Sequence, residues 1–111
     1  MLFIEFKAFT ERLYRLARSE ADSVLRAIQG DLLGNPLRGT VIPGLAGIRK
    51  ARAVNPTRSK GKRGGFRYMY YFLEREDEIY LLFLLDKGEQ EGLNEKQKAA
   101  LRAAVAELKG S

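Results

Sequence analysis

The sequence contains no cysteine and no histidine. The absence of cysteine excludes disulfides and thiolate nucleophiles, so the chain is compatible with a reducing compartment. The absence of both residue types also excludes Ser-His-Asp triads and nearly every zinc or copper site. The chain therefore lacks the side chains that most often transfer protons or bind transition metals in enzymes.

Long apolar segments are also missing. The longest apolar run, Ile79 to Leu85, is far shorter than the roughly 18 residues that a membrane-spanning helix needs. Residues 1–7 alternate apolar and charged side chains instead of forming a basic stretch followed by an apolar block, so they do not look like a signal peptide. We therefore expect a cytoplasmic protein.

The composition that remains is that of an ordinary globular protein. The chain has 111 residues, of which 45% are hydrophobic and 31% are charged. This length matches one domain, and the apolar content is sufficient for a core without a disulfide or metal. We expect residues 1–111 to form a single domain.

Positive charge is concentrated in one third of the chain. Residues 38–75 contain ten basic residues and a single acidic one, a net charge of +9, whereas the rest of the chain carries −3. A concentrated basic segment attracts polyanions through counterion release, and nucleic acid is the most abundant polyanion of the cytosol. A solvated basic face that only confers solubility is the alternative, but solubility does not require acids to be absent from the same stretch.

The first third of the chain predicts one strand and two helices. Leu2, Ile4 and Phe6 alternate with Phe3 and Glu5, the period of two that is typical of a strand with one well-buried face. Apolar residues then recur at helical spacing up to about Arg18, and a second helix is predicted from Ser19 to the Gly34-Asn35-Pro36 stop signal. The two helices should form a hairpin.

The remainder predicts three strands and a final helix. Residues 40–47 are rich in glycine and are predicted as a loop that enters a strand from about Leu45 to Val54. Two further strands, Phe66–Leu73 and Ile79–Leu85, should form a hairpin, and Asn94 should cap a helix that ends at Gly110. The resulting order is β-α-α-β-β-β-α, an α+β fold with a largely antiparallel sheet, an N-terminal helical hairpin and a C-terminal helix.

Strand alternation arranges the basic and aromatic residues. Lys50 and Arg52 should stand side by side on one face of their strand, with Arg49 on the other. On the next strand Arg67 shares a face with Met69 and Tyr71, whereas Phe66, Tyr68, Tyr70 and Phe72 share the opposite face. We expect Phe66, Tyr70 and Phe72 to be core residues, and we predict Tyr68 and Tyr71 as rings on which RNA bases could stack.

Four segments resemble a known family. They are Gly47–Arg52, the glycine-rich basic loop Gly61–Gly65, the strand Phe66–Tyr71, and Leu84–Glu89 followed by Leu93 and Asn94. In this order they resemble the RelE/ParE superfamily of bacterial toxins from type II toxin–antitoxin systems, and the HigB-like branch is the nearest match. The resemblance covers the chain from about Pro43 to the C-terminus, and the predicted element order agrees over the whole length.

The resemblance implies a bacterial toxin that inhibits translation and arrests growth. Its expected activity is that of an mRNA interferase, a ribosome-dependent endoribonuclease that cleaves translated mRNA by attack of the ribose 2′-hydroxyl, without a metal or other cofactor. Two alternatives remain open, because one fold can carry several functions. One is a ParE-like inhibitor of DNA gyrase, and the other is a non-catalytic module that binds RNA or an antitoxin.

The resemblance also implies site residues. Lys50 and Arg52 match the family's basic pair, Arg67 matches the arginine that opens the next strand, and Lys87 falls near a basic position after the last strand; these four are the predicted catalytic residues. Cleavage needs a base for the 2′-hydroxyl and positive charge for the phosphorane oxygens. Neighbouring cations favour the neutral form of a lysine, so Lys50 is the candidate proton carrier, whereas arginines suit phosphate clamping.

Further basic residues are assigned to contacts with RNA or the ribosome. These are Arg49, Arg58, Lys60, Lys62 and Arg63. The sequence departs from the family at Leu85, where many HigB-like sequences have a tyrosine, and residues 88–92 lack the tyrosine of some RelE members. The general acid is therefore unassigned.

The implied partners are the ribosome with its mRNA and a cognate antitoxin protein. The antitoxin would have to cover part of the toxin to silence it. The exposed edge of the first strand and the grooves beside the first two helices are candidate surfaces, because both can accept a strand or a helix from another chain.

Overall fold

The computed structural model describes residues 1–53, 65–86 and 93–110. These residues form five strands and three α-helices, with short 3₁₀ turns at Arg18–Glu20 and Glu74–Glu76. In chain order the elements are β1 (Leu2–Glu5), α1 (Lys7–Ala17), α2 (Ala21–Gly34), β2 (Thr40–Val41), β3 (Arg49–Ala53), β4 (Phe66–Leu73), β5 (Glu78–Asp86) and α3 (Glu95–Gly110).

The five strands form one sheet in the order β1-β5-β4-β3-β2. β1 pairs with β5 in parallel, and the other three pairings are antiparallel, so the prediction of a largely antiparallel sheet is confirmed. The chain enters the sheet at one edge, in β1, and crosses through α1 and α2 to the opposite edge, β2. Strand β1 is thus an edge strand, as is the two-residue strand β2.

Helices cover both faces of the sheet. On one face the hairpin of α1 and α2 buries Phe9, Leu13, Val24 and Ile28 against Tyr68, Tyr70, Ile79 and Leu81. On the other face α3 contributes Val105 to a second cluster with Ile48, Met69, Tyr71, Leu82 and Leu85. Each large apolar side chain buried in this way stabilises the fold by roughly 1.5–3 kcal/mol. The alternation of Phe66, Tyr68, Tyr70 and Phe72 against Met69 and Tyr71 is confirmed, because the two sets belong to opposite clusters.

The helical hairpin is confirmed, but its boundary differs from the prediction. The chain turns at Arg18, which has a positive φ of 53°, and continues through the 3₁₀ turn into α2 at Ala21. Glu20 precedes α2 without a side-chain capping bond, so the predicted capping box at Ser19 is wrong. By contrast, Asn94 caps α3 as predicted.

The cap of α3 is reciprocal. The Gln97 backbone N–H donates to Asn94 Oδ1 at 2.8 Å, and the Asn94 N–H donates to Gln97 Oε1 at 2.9 Å. These two bonds satisfy amides that would otherwise lack a partner at the start of the helix.

The region before β3 also differs from the prediction. Thr40 and Val41 were expected in a loop but form β2, which pairs with Lys50 and Arg49. Strand β3 starts at Arg49 instead of Leu45, because the preceding residues make a tight turn in which Ile42 N–H donates to Ile48 O at 2.9 Å. Gly44, Ala46 and Gly47 in this turn all have positive φ. That backbone conformation is incompatible with an extended strand.

No helix within these three described stretches is both long enough and apolar enough to cross a membrane.

Gly39 lies directly before β2 and packs against the ring of Tyr70. A β-carbon built at Gly39 would lie 2.8 Å from Tyr70 Cε1 and 3.0 Å from the Lys50 carbonyl oxygen. Tyr70 is completely buried, so its ring has little room to move away. Only glycine allows this approach of the loop to the sheet.

Replacement of Gly39 by alanine should therefore lower the free energy of unfolding by about 1–3 kcal/mol, the usual range for overpacking. Urea denaturation followed by circular dichroism measures the change. Gly30→Ala is the matched control, because Gly30 lies inside α2 with no atom within 4 Å of an added β-carbon. That substitution should stabilise the protein by about 0.5–1 kcal/mol through helix propensity. Equal effects of the two substitutions would contradict this account of Gly39.

Candidate nucleic-acid interface

An open groove of about 380 Å³ lies along β3. Of the six described residues that line it, four are cationic. The lining residues are Arg38, Thr40, Lys50, Ala51, Arg52 and Arg67. We call this the cationic groove. Three of its four cations, Lys50, Arg52 and Arg67, were predicted from the sequence as catalytic residues.

Strand pairing brings these three cations together. Arg52 and Arg67 are direct partners across the antiparallel β3–β4 pair, and Lys50 is two residues before Arg52, opposite Met69. Residues two apart on a strand share a face, so Lys50 and Arg52 stand side by side as predicted. Their face is the one that also carries Ile48 and Met69, on which α3 packs.

The opposed arginines create a strong local field. Residues directly opposite on an antiparallel pair have β-carbons about 4.5–5.5 Å apart, and like charges in such positions destabilise the pair. An anion between them would remove this repulsion and gain charge-assisted hydrogen bonds. Arg52 is exposed and Arg67 is half-buried, so both remain accessible from the groove.

The fourth cation, Arg38, was not predicted from the sequence as a site residue. It lies in the loop between α2 and β2, and its Nη1 donates to the Arg52 carbonyl oxygen at 2.9 Å and to the Tyr68 hydroxyl at 3.1 Å. The same nitrogen lies 3.7 Å from Asp31 Oδ2. The sequence gives only a weak indication that Arg38 belongs to the site. Arg38 is the first basic residue of the positive segment, and it precedes Gly39, a position at which the fold requires a small residue.

Arg38 reaches the groove because β2 is short. The chain leaves the pairing with β3 at Thr40, opposite Lys50, so no described strand lies beside the outer edge of β3 beyond Lys50. The Arg38 side chain occupies that edge and donates to the Arg52 carbonyl oxygen, which a longer strand would otherwise have satisfied. A cationic side chain thus replaces a backbone donor at the rim of the groove.

Arg49 lies on the opposite face from the groove. It was predicted to contact RNA or the ribosome, but its Nη1 donates to the carbonyl oxygens of Leu37 at 3.2 Å and Gly39 at 2.7 Å. The guanidinium is therefore engaged with the loop that carries Arg38. This placement points to a structural role instead of a direct contact in the groove.

The two predicted stacking tyrosines are also displaced from the groove. Tyr68 has no exposed surface and packs in the core beneath α1 and α2, so its ring offers no face to a base. Tyr71 is 9% exposed in the cluster beneath α3, where Lys109 Nζ lies 5.8 Å from its ring centroid. The stacking prediction is inconsistent with these positions, because stacking needs an open ring face.

Burial also fixes the protonation of two tyrosines near the groove. Desolvation raises the pKa of the Tyr68 hydroxyl, although the hydrogen bond from Arg38 opposes this shift. Desolvation likewise raises the pKa of Tyr70, against the hydrogen bond from the Gly39 backbone. Both hydroxyls are therefore neutral at physiological pH and act as hydrogen-bonding groups.

Five of the predicted site residues fall outside the described ranges. Lys87, predicted as catalytic, and the RNA or ribosome contacts Arg58, Lys60, Lys62 and Arg63 lie outside the described residues. Leu85, the position at which many HigB-like sequences have a tyrosine, is opposite Arg67 on β5 and is buried.

The described part of the chain offers no metal centre. Within residues 1–53, 65–86 and 93–110, no three acidic side chains come together in a way that could hold a metal ion. The cationic groove itself is suited to an anion. Its fixed arginine forks fit the oxygens of a phosphate group, and a lysine amine can donate or accept a proton when its charge state allows.

Comparison with known proteins shows the fold. No family model matches the sequence. The structure is similar to a double arginine-to-alanine mutant of the Escherichia coli toxin RelE in the free state, with a TM-score of 0.58 and 10% identity over 94% of this chain and 95% of that one. It is also similar to a chain of the intact E. coli RelBE toxin–antitoxin complex, with a TM-score of 0.56 and 11% identity over 79% of this chain and 98% of that one.

A third similar structure is the isolated E. coli RelE toxin, with a TM-score of 0.50 and 15% identity over 96% of this chain and 97% of that one. The chain thus has a RelE-like fold, as the sequence resemblance implied. The assignment to the HigB-like branch stays a prediction.

The raised pKa values predict a loss of stability in alkali. Tyrosine in the unfolded chain has a pKa of about 10, so the stability contributed by the neutral buried hydroxyls is fully present below pH 10 and is lost as the pH rises above it. Each buried tyrosine should contribute a slope of at most about 1.4 kcal/mol per pH unit. Tyr68→Phe and Tyr70→Phe should each reduce this slope in urea denaturation between pH 9 and 11.

Tyr14→Phe is the control for this titration, because the Tyr14 side chain is 55% exposed. Its slope should equal that of the unmodified protein. If Tyr68→Phe and Tyr70→Phe also leave the slope unchanged, the two buried hydroxyls do not carry the alkaline loss of stability.

Proposed function

We propose that this protein is the toxin of a type II toxin–antitoxin system and that it cleaves translated mRNA on the ribosome. The observation that supports the proposal is the cationic groove, in which Lys50, Arg52 and Arg67 meet at one surface of a RelE-like fold. A gyrase inhibitor or a passive binding module does not need a lysine beside two opposed arginines, whereas cleavage of a phosphodiester does.

In the proposed reaction, the ribose 2′-oxygen attacks the adjacent phosphorus while the bond from phosphorus to the 5′-oxygen breaks. The products are a 2′,3′-cyclic phosphate and a free 5′-hydroxyl. Arg52 and Arg67 stabilise the negative charge that develops on the phosphorane oxygens, because arginines stay protonated and present a fixed fork of donors. Arg38 joins them from the edge of β3.

Lys50 is proposed to take the proton of the 2′-hydroxyl, since it is the one lysine among the described residues that line the groove. Lys87 keeps its predicted place among the catalytic residues. We propose that the reaction needs no metal or other cofactor, because four cations in the groove repel a divalent metal ion.

The proposed partners are the ribosome, which would present the message, and a cognate antitoxin. Likeness to the RelBE toxin–antitoxin complex supports the antitoxin partner. The edge strand β1 remains the proposed surface for strand addition, because such an edge can pair with an extended segment of another chain. The bacterial cytoplasm is the proposed location of all three.

The first test is expression of the chain in bacteria with primer extension on a reporter message. The unmodified protein should produce cuts within translated codons, and the double variant Lys50→Ala/Arg52→Ala and the single variant Arg67→Ala should each cut about 10²–10⁴ times more slowly. Arg67→Lys, which keeps the charge but loses the fork of donors, should fall between these variants and the unmodified protein.

Arg26→Ala is the matched control, because Arg26 is an exposed arginine of α2 that does not line the groove. It should cut at the normal rate. Thermal unfolding of each purified variant separates a loss of chemistry from a loss of fold. Intact messages together with trapped gyrase complexes would favour the ParE-like alternative, and absence of toxicity would favour the non-catalytic module.

The basic loop provides a second test. Neutralising Lys60, Lys62 and Arg63 together should weaken ribosome binding and reduce the slope of log affinity against log salt, because each lost phosphate contact removes about one released counterion. Binding of labelled protein to ribosomes between 50 and 200 mM salt, concentrations at which such slopes are resolved, measures both quantities. An unaltered salt slope removes these three residues from the contact surface.

A further inference from the structure

The loop that carries Arg38 is held to the sheet by two neighbouring side chains. Tyr70 and Arg49 are direct partners across the β3–β4 pair, on the face that α1 and α2 cover. The Tyr70 hydroxyl donates to the Pro36 carbonyl oxygen at 2.8 Å and accepts from the Gly39 N–H at 2.9 Å. Together with the two bonds from Arg49, these contacts fix the backbone on both sides of Arg38.

The side chain of Arg38 is held separately, through one terminal nitrogen of its guanidinium. Its contacts with the Arg52 carbonyl oxygen, the Tyr68 hydroxyl and the Asp31 carboxylate all involve Nη1. A guanidinium has five N–H donors in a rigid plane, so fixing Nη1 orients Nη2 and Nε as well. Since Arg38 lines the cationic groove, the remaining edge of this plane is available to an anion there.

Tyr68 is suited to fix this orientation. Its ring is completely buried and tilts against the Tyr70 ring at a centroid distance of 5.7 Å, so the hydroxyl has a defined position. The hydroxyl is neutral and accepts the hydrogen bond from Arg38 without neutralising the positive charge. Asp31, by contrast, is half-exposed and lies 3.7 Å away, so its interaction is weak and screened by solvent.

We propose that Tyr68 is a positioning residue for RNA cleavage: its buried hydroxyl orients Arg38 so that the guanidinium meets the scissile phosphate at the edge of the cationic groove. The inference rests on the proposed function, because it assigns a role within the same site. Tyr68 itself does not touch the RNA, since its ring has no exposed surface. Its effect is transmitted through Arg38, so loss of the Tyr68 hydroxyl should slow cleavage only when Arg38 is present.

The test is a double-substitution cycle on single-turnover cleavage of mRNA by excess toxin on programmed ribosomes. Tyr68→Phe, which keeps the ring, should lower the maximal cleavage rate by about tenfold. Arg38→Ala should lower it by about 10²–10³. The double variant should be no slower than Arg38→Ala alone, because the hydroxyl has no effect once Arg38 is absent. If the two effects multiply, or if Tyr68→Phe cleaves at the normal rate, the proposal is wrong.

Tyr80→Phe is the matched control. The Tyr80 hydroxyl also donates a hydrogen bond, to Glu78 Oε1 at 2.6 Å, but it lies on β5 and has no contact with Arg38. This variant should cleave at the normal rate. Any small rate reduction that Tyr80→Phe causes should multiply with the rate reduction caused by Arg38→Ala, because the two residues do not act through each other. Urea denaturation of all variants shows whether each rate refers to folded protein.

A second measurement does not depend on activity. In ¹⁵N spectra of the free protein, the Nη1 protons of Arg38 should exchange slowly and give a resolved signal, which should be lost in Tyr68→Phe and kept in Tyr80→Phe. If the signal survives in Tyr68→Phe, the hydroxyl does not hold Arg38 and the inference fails. If the unmodified protein cleaves no message but loses the signal on substitution, the proposed function fails while the orientation of Arg38 by Tyr68 stands.

Discussion

The register between β3 and β4 is the constraint on which the candidate site depends. It sets Arg52 directly opposite Arg67 and puts Lys50 on the same face. Two opposed arginines weaken a strand pair, so another interaction must hold the register. Tyr68 and Tyr70 on one face of β4, and Met69 on the other, are buried between helices and supply it. A slip by one residue would move these rings to the opposite face and drive Arg67 into the core beneath α1 and α2.

The short strand β2 has an equally direct consequence. It ends after two residues, and no other described strand pairs with the rest of the outer edge of β3. In many proteins such an edge is protected by a charged side chain. Here the protecting side chain is Arg38, which satisfies the Arg52 carbonyl oxygen and also adds a fourth positive charge to the groove. Protection of the edge and construction of the groove are thus achieved by the same residue.

Fold and activity rest on different grounds in this protein. The RelE-like fold follows from overall similarity to structures with 10–15% identity, and such similarity carries no information about individual side chains. The proposed RNA cleavage depends on the positions of the individual cations in the groove. Tyr68 of β4, predicted from the sequence to contact RNA, is instead a core residue whose hydroxyl accepts a hydrogen bond from the groove cation Arg38.

Much of the fold could be predicted from the sequence, because periodicity and capping are local properties. The alternation along β3 and β4, the helical hairpin and the Asn94 cap all follow from residues close together in the chain. The failures occurred where local signals are weak or ambiguous. Strand β2 has only two residues, Thr40 and Val41, which are too short a segment to show the alternation typical of a strand. The glycines that follow are compatible with both a loop and a tight turn.

The sequence by itself determined that Lys50 and Arg52 share a face and that the face is strongly basic, since both depend only on spacing along one strand. Only the tertiary structure decided that Arg67 lies opposite Arg52, that Arg38 joins them, and that Arg49 and Tyr68 serve the loop and the core. Those outcomes depend on strand register and on contacts between residues distant in the chain. Such contacts are selected by the packing of the whole core, and no local pattern of residues specifies them.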